Sequence, residues 1–584
     1  MASSAAEQEH LNGHSGLILA VFCIVSILVI WPVRIPLAHA VQQPLLRILH
    51  RARIIDDADY ESLSKRPLHI SLSLTTAPVI AVILLLATTT INGSTIRLGI
   101  VGDENVKPYD VLVLFISLAY IAIALDGTGA LEAVAFYVSK RGGSSGRLLF
   151  TYLYLFFLMT ACIVGNDPLI LSGTPFLAYL TQHTGLEPTA WVFSEFMAAN
   201  TASAVLVSSN PTNILITGSF GLNFLTGFTK WTVLPALIPA ALNYPIILAM
   251  FWKRIPKNIT PLTEDPWSKL RDRAGAIFLS VLLVVTVAVL VGTSFVPEHA
   301  VEVWMVTAPA GILGFLWDLS SDWFRPQKQR EVIRRQSTDQ AAEMQSLDRT
   351  RSRSSQRRQQ FLSPTGQKET VQPANQPEPS ATQSPMSLND KSTRPKNERF
   401  TVSKMIRLFA QHFPATTRTI RRLPILLLPF AMAEFVLVRG LAQRGWISVF
   451  ARGFANACTT PARAVFFMSY VSAAFLCPLA GTNIGATIIL VEIMRDPAFL
   501  QSEAVLRDER VLLGAIYAVA LGSNIGAFSY TFAGSLAGLL WRGLLDDKGI
   551  VISQAKFALV NALPLVMQST VSGAVILGQL YWFV

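Results

Sequence analysis

Charge is what this chain has least of. Only 15% of its 584 residues are Asp, Glu, Lys or Arg, where a soluble domain carries about 25%. That excludes an ordinary water-soluble enzyme and leaves a polytopic membrane protein as the expectation. Cysteine is scarce too. The four, at positions 23, 162, 458 and 477, form neither a metal-ligand spacing nor a disulfide framework. There is no phosphate-cradling Gly-Lys-Ser/Thr loop and no His-Glu-x-x-His sequence, so neither ATP hydrolysis nor zinc hydrolase chemistry is expected. No cofactor and no metal are expected either. Residues 1–16 contain no Lys or Arg. The apolar stretch after them therefore lacks the basic start of a secretory signal and is read as a retained span.

Apolar sequence is what the chain has in excess. Hydrophobic residues make up 51%, and the mean hydropathy is +0.44. A membrane helix needs about 20 mostly apolar residues. Such stretches recur at 17–40, 68–91, 109–138, 148–166, 168–186, 196–229, 231–252, 274–297, 303–317, 423–438, 464–491, 511–541 and 557–584. The stretch at 303–317 is short, and 196–229 is too long for one simple span. Basic residues cluster after the first span (Arg47, Arg51, Arg53, Lys65, Arg66), at Lys140, Arg141 and Arg147, and again from Lys253 to Arg273. The positive-inside bias makes these loops cytoplasmic and sets the N-terminus outside. Residues 147 and 253 share a side only if 148–182 enters and leaves by the cytoplasmic face. That predicts a re-entrant hairpin with its tip at Gly165-Asn166-Asp167-Pro168. Irregular backbone at mid-membrane is tolerated where it is buried or lines a cavity.

A faint internal repeat supports this. Gly165-Asn166-Asp167 resembles Gly481-Thr482-Asn483, Ser209-Asn210-Pro211 resembles Ser523-Asn524-Ile525, and Gly218-Ser219 resembles Gly534-Ser535, at offsets of 317, 314 and 316 residues. Three landmarks in one order at nearly one offset argue for duplication. The expected fold is an all-α polytopic membrane protein of two inverted repeats, each of about five transmembrane helices and one re-entrant hairpin. The second hairpin falls at about 463–495. Paired Gly- and Pro-interrupted segments point to a transporter's binding site, because broken helices free backbone amides and carbonyls for a ligand. Asp167 stands out. An ionisable group at mid-membrane is costly and functional by default, so it binds a cation or carries a proton, or else it caps the second hairpin arm. Glu195 is either a proton relay or a span-end acid. No basic residue lies at either tip.

The stretches Leu125–Gly129, Gly146–Phe150, Gly165–Pro175, Ser208–Ile214 with Phe220-Gly221-Leu222, and Ser523–Ile552 resemble the bacterial arsenite/antimonite efflux pump family. That family belongs to the ion transporter superfamily, together with sodium/proton antiporters, citrate and dicarboxylate carriers and silicic-acid exporters. The resemblance implies an inverted-repeat fold with elevator-type alternating access. It implies substrate and ion contacts at Asn166, Asp167, Thr482 and Asn483 of the tips, and at Asn210, Thr212, Asn213, Ser523 and Asn524 of the interrupted helices. Acidic residues at Asp126 and Glu132 also match it. Asp126 is then either a proton relay or a partner for a nearby Arg or Lys. Cys162 and Cys477, just before the tips, suit thiophilic arsenic as thiol contacts or serve as small packing residues. The chain departs from the family at Pro168-Leu169, at Pro478 before the second tip, and in lacking an acid near Asn524.

Residues 318–402 are unlike the rest. They hold 15 Lys/Arg and 10 Asp/Glu, and 361–395 are dominated by Pro, Gln, Ser and Thr, a disordered composition. The run Arg349–Arg358 has no interleaved aromatics, so anionic lipid rather than RNA is its expected neighbour. Ser337, Ser352, Ser354, Ser363 and Ser384 suit a kinase whose phosphates would weaken that contact.

The expected domains are therefore 1–67 (first helix and basic cytoplasmic loop), 68–317 (first repeat and start of the second), 318–402 (disordered basic cytoplasmic loop) and 403–584 (remainder of the second repeat). The expected function is proton-coupled efflux of arsenite, antimonite or a related small hydroxylated solute. The alternatives are a sodium/proton antiporter or a citrate-like carboxylate carrier, and, in another class, a non-transporting receptor or an intramembrane enzyme. The expected partners are a small inorganic solute with H⁺ or Na⁺, the lipid bilayer, a second copy in a homodimer, and a kinase acting on the 330–395 loop. No nucleic acid is expected, because the net charge of +11 lies in cytoplasmic loops. The expected location is the plasma membrane rather than a vacuolar or other internal one.

Overall fold

The computed structural model describes residues 11–102, 107–260, 264–293, 303–324, 401–425 and 427–584. The 330–395 loop and its phosphorylation sequences lie outside the described residues. The chain divides into two units. The larger comprises Met1–Pro36, His69–Arg325 and Ala415–Val584, and the smaller Leu37–Leu68 with Pro326–Pro414.

In the larger unit, α1 (Gly13–Ile30) opens with a capping box: Asn12 accepts from the amide of Ser15, whose hydroxyl in turn accepts from the amide of Asn12. It ends at Trp31-Pro32, because proline has no amide proton to continue the ladder. The smaller unit carries α2 (His39–Arg51), α3 (Asp57–Ser64) and, described below, α15. Returning to the larger unit, Val33–Pro36 and His69–Leu72 form a short antiparallel ladder. Then come α4 (Ala77–Ala87), α5 (Gly93–Ile100), α6 (Pro108–Gly127), α7 (Ala130–Arg141), α8 (Gly146–Val164), α9 (Asn166–Thr184), α10 (Thr189–Ala202), α11 (Pro211–Ser219) and α12 (Lys230–Met250). The second half has α13 (Arg273–Thr293), α14 (Val303–Phe324), α15 (Val402–His412), α16 (Pro414–Arg422), α17 (Leu427–Gln443), α18 (Trp446–Ala457) and α19 (Pro461–Tyr470), the last extended by irregular turns to Leu479. It finishes with α20 (Asn483–Arg495), α21 (Arg510–Ile525), α22 (Leu536–Asp547) and α23 (Gln554–Phe583).

Among the described residues, nine helices are long and apolar enough to cross a membrane. Several keep large apolar side chains exposed, such as Ile277, Val281 and Val284 on α13 and Leu559 and Leu563 on α23. A bilayer, unlike water, solvates such faces. The chain is an all-helical, multi-pass integral membrane protein.

The order α6, α7, hairpin, broken helix, α12 recurs as α17, α18, hairpin, broken helix, α23. The glycines that open α7 and turn the first hairpin, Gly129 and Gly165, have positive φ, and so do Gly445 and Gly481, each 316 residues further on. Only glycine takes such angles without strain. The packing is exchanged between the repeats: α9 lies on α22, α20 lies on α11, and α10 and α11 both meet α21. Two inverted copies about a shared axis make this kind of reciprocal contact.

Residues 318–324, grouped by composition with the polar insert, are instead the last two turns of α14. Their acids are buried and satisfied. Asp318 accepts from Tyr120 Oη at 3.0 Å and Thr419 Oγ1 at 3.2 Å, and Asp322 accepts from the amides of Ala415 and Thr416 at 3.2 and 2.9 Å. In the smaller unit, buried Gln42 on α2 donates to the carbonyls of Leu63 and Arg66, and Arg407 on α15 pairs with Asp56 and Asp59 beside α3.

Candidate functional site

The first hairpin turns at one residue. Gly165, with φ of 97°, joins α8 to α9, which pack on each other. Asn166 follows, 4% exposed. Its Oδ1 accepts from the amide of Asp167 at 2.9 Å and its Nδ2 donates to Asn200 Oδ1 on α10 at 3.0 Å. The tip is thereby fixed to the first broken helix. Ser209 Oγ completes the contact by donating to the carbonyl of Cys162 at 2.6 Å.

Asn210 sits at the break between α10 and α11. Its Oδ1 caps α11 by accepting from the amide and hydroxyl of Thr212 at 3.1 and 3.0 Å. Among the described residues its buried Nδ2 has no partner, and the same is true of Ser208 Oγ. Buried polar atoms are normally hydrogen-bonded, so these two donors are available to a water or a bound solute.

These groups line one cavity of about 360 Å³. Asn166 and Asp167 enter it from the start of α9, Ser208 to Pro211 from the start of α11, and Leu536 and Leu540 from α22 of the other repeat. The N-termini of two helices therefore face the same space, and helix N-termini carry partial positive charge. Among the described residues no cation or donor side chain reaches the carboxylate of Asp167. Arg422, the last residue of α16, also lines the cavity. It is not a free cation: its Nη1 lies 2.7 Å from Asp126 Oδ2, and its Nη2 donates to the carbonyl of Leu171 at 3.3 Å. Asp126, read as a relay or an ion-pair acid, is thus seated in an ion pair. Glu132 pairs similarly with Arg271 at 2.7 Å.

The remaining sequence candidates lie elsewhere. Thr482 caps α20 through the amide of Gly485. Asn483 is buried beside it and does not line the cavity. Ser523 receives Thr487 Oγ1 at 2.8 Å and donates to the carbonyl of Val519. Asn213 Oδ1 accepts from Asn524 Nδ2 at 2.7 Å, and Ser203 Oγ donates to Asn524 Oδ1 at 3.0 Å. This buried amide pair joins the two broken helices. Thr212 turns its side chain onto Asn210. Glu195 is fully buried on α10, receives Thr174 Oγ1 on both carboxylate oxygens at 3.2 and 3.0 Å, and meets no cation among the described residues. Cys477 Sγ faces the carbonyl of Ser523 at 4.0 Å, and neither its thiol nor that of Cys162 lines the cavity. Both are free cysteines. Among the described residues there is no cluster that could hold a metal ion.

Sequence reasoning missed Arg422. It stands in the basic run Arg418, Arg421, Arg422 before a span, which reads as flanking charge. Only the fold of α16 carries it to the cavity.

A family model described as citrate transporter (CitMHS) matches residues 67–522. The arsenical pump membrane protein of Escherichia coli is 33% identical over 184 residues, covering 29% of this chain and 41% of that protein. The putative arsenical pump membrane protein of Bacillus subtilis is 24% identical over 181 residues, covering 30% of this chain and 40% of that one. The chain spans about two fifths of the length of these curated relatives. Among solved structures, the YdaH transporter of Alcanivorax borkumensis aligns with 98% of this chain and 99% of its own, at a TM-score of 0.47 and 12% identity.

Proposed function

Since the chain belongs to the CitMHS citrate transporter family, which is a family of transporters, we propose that it is a proton-coupled exporter of arsenite, antimonite or a related small hydroxylated solute. The observation that carries this reading is the charge of the cavity. One carboxylate, Asp167, lines it, and the one lining guanidinium, Arg422, is already paired with Asp126, which lies outside the lining. A citrate-like trianion would enter with no free cation among the described residues to meet it, and an unpaired charge taken out of water is expensive. Arsenous and antimonous acids are neutral triols near neutral pH. The orphaned Asn210 Nδ2 and Ser208 Oγ supply donors for their oxygens, the two helix N-termini favour the oxygens' partial negative charge, and Asp167 supplies an acceptor. Asp167 is the coupling group in this reading, with Glu195, a buried carboxyl outside the cavity lining, as a second relay. The resemblance to arsenical pumps supports the same substrate class. The unpaired carboxylate of Asp167 also favours one rival reading, a sodium/proton antiporter.

The remaining proposals follow from sequence. The plasma membrane is the location, the 330–395 loop is a kinase-regulated cytoplasmic insert between the two transporter segments, and a homodimer is the assembly. Proteoliposomes test the central proposal. With an imposed pH gradient, wild-type protein moves arsenite and Asp167→Asn does not. Arsenite movement by Asp167→Asn that still follows the gradient would remove Asp167 from the coupling role. A wild-type protein that moves citrate or sodium alone would overturn the substrate reading.

A further inference from the structure

Arg422 is held in place by more than its own ion pair. The helix that carries it, α16, is fastened along its length to α14 and α6. Asp322 receives the amides of Ala415 and Thr416 and the hydroxyl of Thr416 at its N-terminus. Three residues on, Thr419 donates to Asp318, which also receives Tyr120 Oη of α6. Both aspartates are buried, at 0% and 8% exposed. Arg422 is the next turn. Its side chain is 27% exposed against 6% for Asp126, so the guanidinium has one face on a buried carboxylate and the other on the cavity. Its second contact, the carbonyl of Leu171, lies four residues after Asp167 on α9, on the same helix face. A guanidinium cannot lose its proton. The charge presented to the cavity is therefore set by whether Asp126 is there to cancel it.

We propose that Asp126 and Arg422 form a charge filter for the cavity beside Asp167. Paired, they make it accept neutral solutes and reject anions. Unpaired, either one changes the sign of what it accepts. The inference rests on reading this cavity as the substrate site. Removing Asp126 leaves an uncompensated guanidinium, with one donor still on the carbonyl of Leu171, at a space that two helix N-termini also reach, a composition suited to carboxylates and oxyanions. Removing Arg422 leaves the carboxylate of Asp126 without its cation at a cavity that Asp167 lines, which suits a cation.

The test uses the full chain in lipid nanodiscs, with binding read by calorimetry for citrate, arsenate and sodium ion, and arsenite transport read separately in proteoliposomes. Asp126→Asn is expected to bind citrate or arsenate about tenfold tighter than wild type, the scale of a desolvated charge pair's effect. Arg422→Gln is expected to gain sodium binding by a similar factor and no anion binding. The double variant Asp126→Asn/Arg422→Gln should lose both gains, because Asp167 alone then leaves the cavity with the same net charge as in the wild type. Should Asp126→Asn fail to elute as a single folded species, the sodium arm with Arg422→Gln decides the matter. An Asp126→Asn protein no better than wild type for either anion, or a double variant that keeps the gain, would overturn the filter. So would Arg422→Gln with unchanged sodium binding. Absence of arsenite transport by wild type together with both single-variant gains would instead sink the proposed substrate and leave the filter standing.

Discussion

Asn210 performs two tasks with one amide, and they can be separated. Its oxygen caps α11 and its nitrogen is left over for the cavity. Asn210→Ala removes both, and the lost cap costs about 1 kcal/mol of stability. Asn210→Asp keeps a capping oxygen, which an N-terminus favours, and removes the donor. The expected outcome is loss of arsenite transport in both variants and a lowered Tm only in Asn210→Ala. Full transport by Asn210→Asp would show that the orphaned nitrogen does nothing for the substrate. A neighbouring site gives a purely steric test. A Cβ on Gly173 would sit 2.4 Å from Glu195 Oε1, so the buried carboxylate would have to shift. Gly173→Ala should cost about 1–3 kcal/mol, as overpacking does, and should displace the carboxylate from Thr174. An unchanged Tm would mean that this contact is slack. At this scale the sequence disclosed the residues whose chemistry is local. Asp167 is the acid between two apolar runs, and Asn210 precedes a proline that opens a helix. Arg422 was illegible because its meaning is a pairing with Asp126, nearly three hundred residues away, which no local pattern records.

Among elements, the hairpin turn is the feature most dependent on one residue. Gly165 combines φ of 97° with ψ of 168°, a region essentially reserved for glycine that costs about 1–3 kcal/mol when another residue is forced into it. A Cβ there would also lie 2.9 Å from the carbonyl of Ser209. Gly218 is the natural control, since it lies on α11 with nothing within 4 Å of a Cβ. Gly165→Ala should lower stability by at least about 2 kcal/mol, and Gly218→Ala should leave it unchanged or raise it by up to about 1 kcal/mol. Thermal unfolding in detergent compares the two, and equal effects would refute the strained turn. Most elements were readable because hydropathy alone sets them: 148–166 and 168–186 became α8 and α9, and 557–584 became α23. The overlong stretch 196–229 resolved into the end of α10, a turn, α11 and an irregular turn before α12. Pro211 and the glycines after it supply those breaks. The stretch 303–317 was read too short because Asp318 and Asp322 resemble a polar boundary, whereas hydroxyls and amides from Tyr120, Thr416 and Thr419 satisfy them inside the bundle.

For the whole molecule, the question is what joins the two repeats at their centre. The sequence landmarks aligned Ser209-Asn210 with Ser523-Asn524, yet the two asparagines hold different stations. Asn210 opens the second half of its broken helix, and Asn524 lies in the last turn of the first half of the other. The residue that caps α22 as Asn210 caps α11 is Ser535, which accepts from the amide of Gly538. Duplication was legible from spacing, but the longer first half in the second repeat was not. The consequence is an asymmetric join, in which Asn524 reaches Asn213 rather than its own counterpart. Asn213 also donates to the carbonyls of Ser203 and Leu206 at 2.7 and 2.8 Å, and Asn524 to that of Ala520 at 2.9 Å. Both side chains are fully buried. Such a network is strong while every member is satisfied, and removing one member strands the rest. Asn213→Ala and Asn524→Ala should each cost about 1–3 kcal/mol, because each leaves a buried partner unpaired. The double variant should cost less than the two together by roughly 1 kcal/mol, the coupling expected of residues in one hydrogen-bond network. A double-mutant cycle on thermal stability measures this directly. Strict additivity would mean that the amide pair is incidental to the union of the repeats.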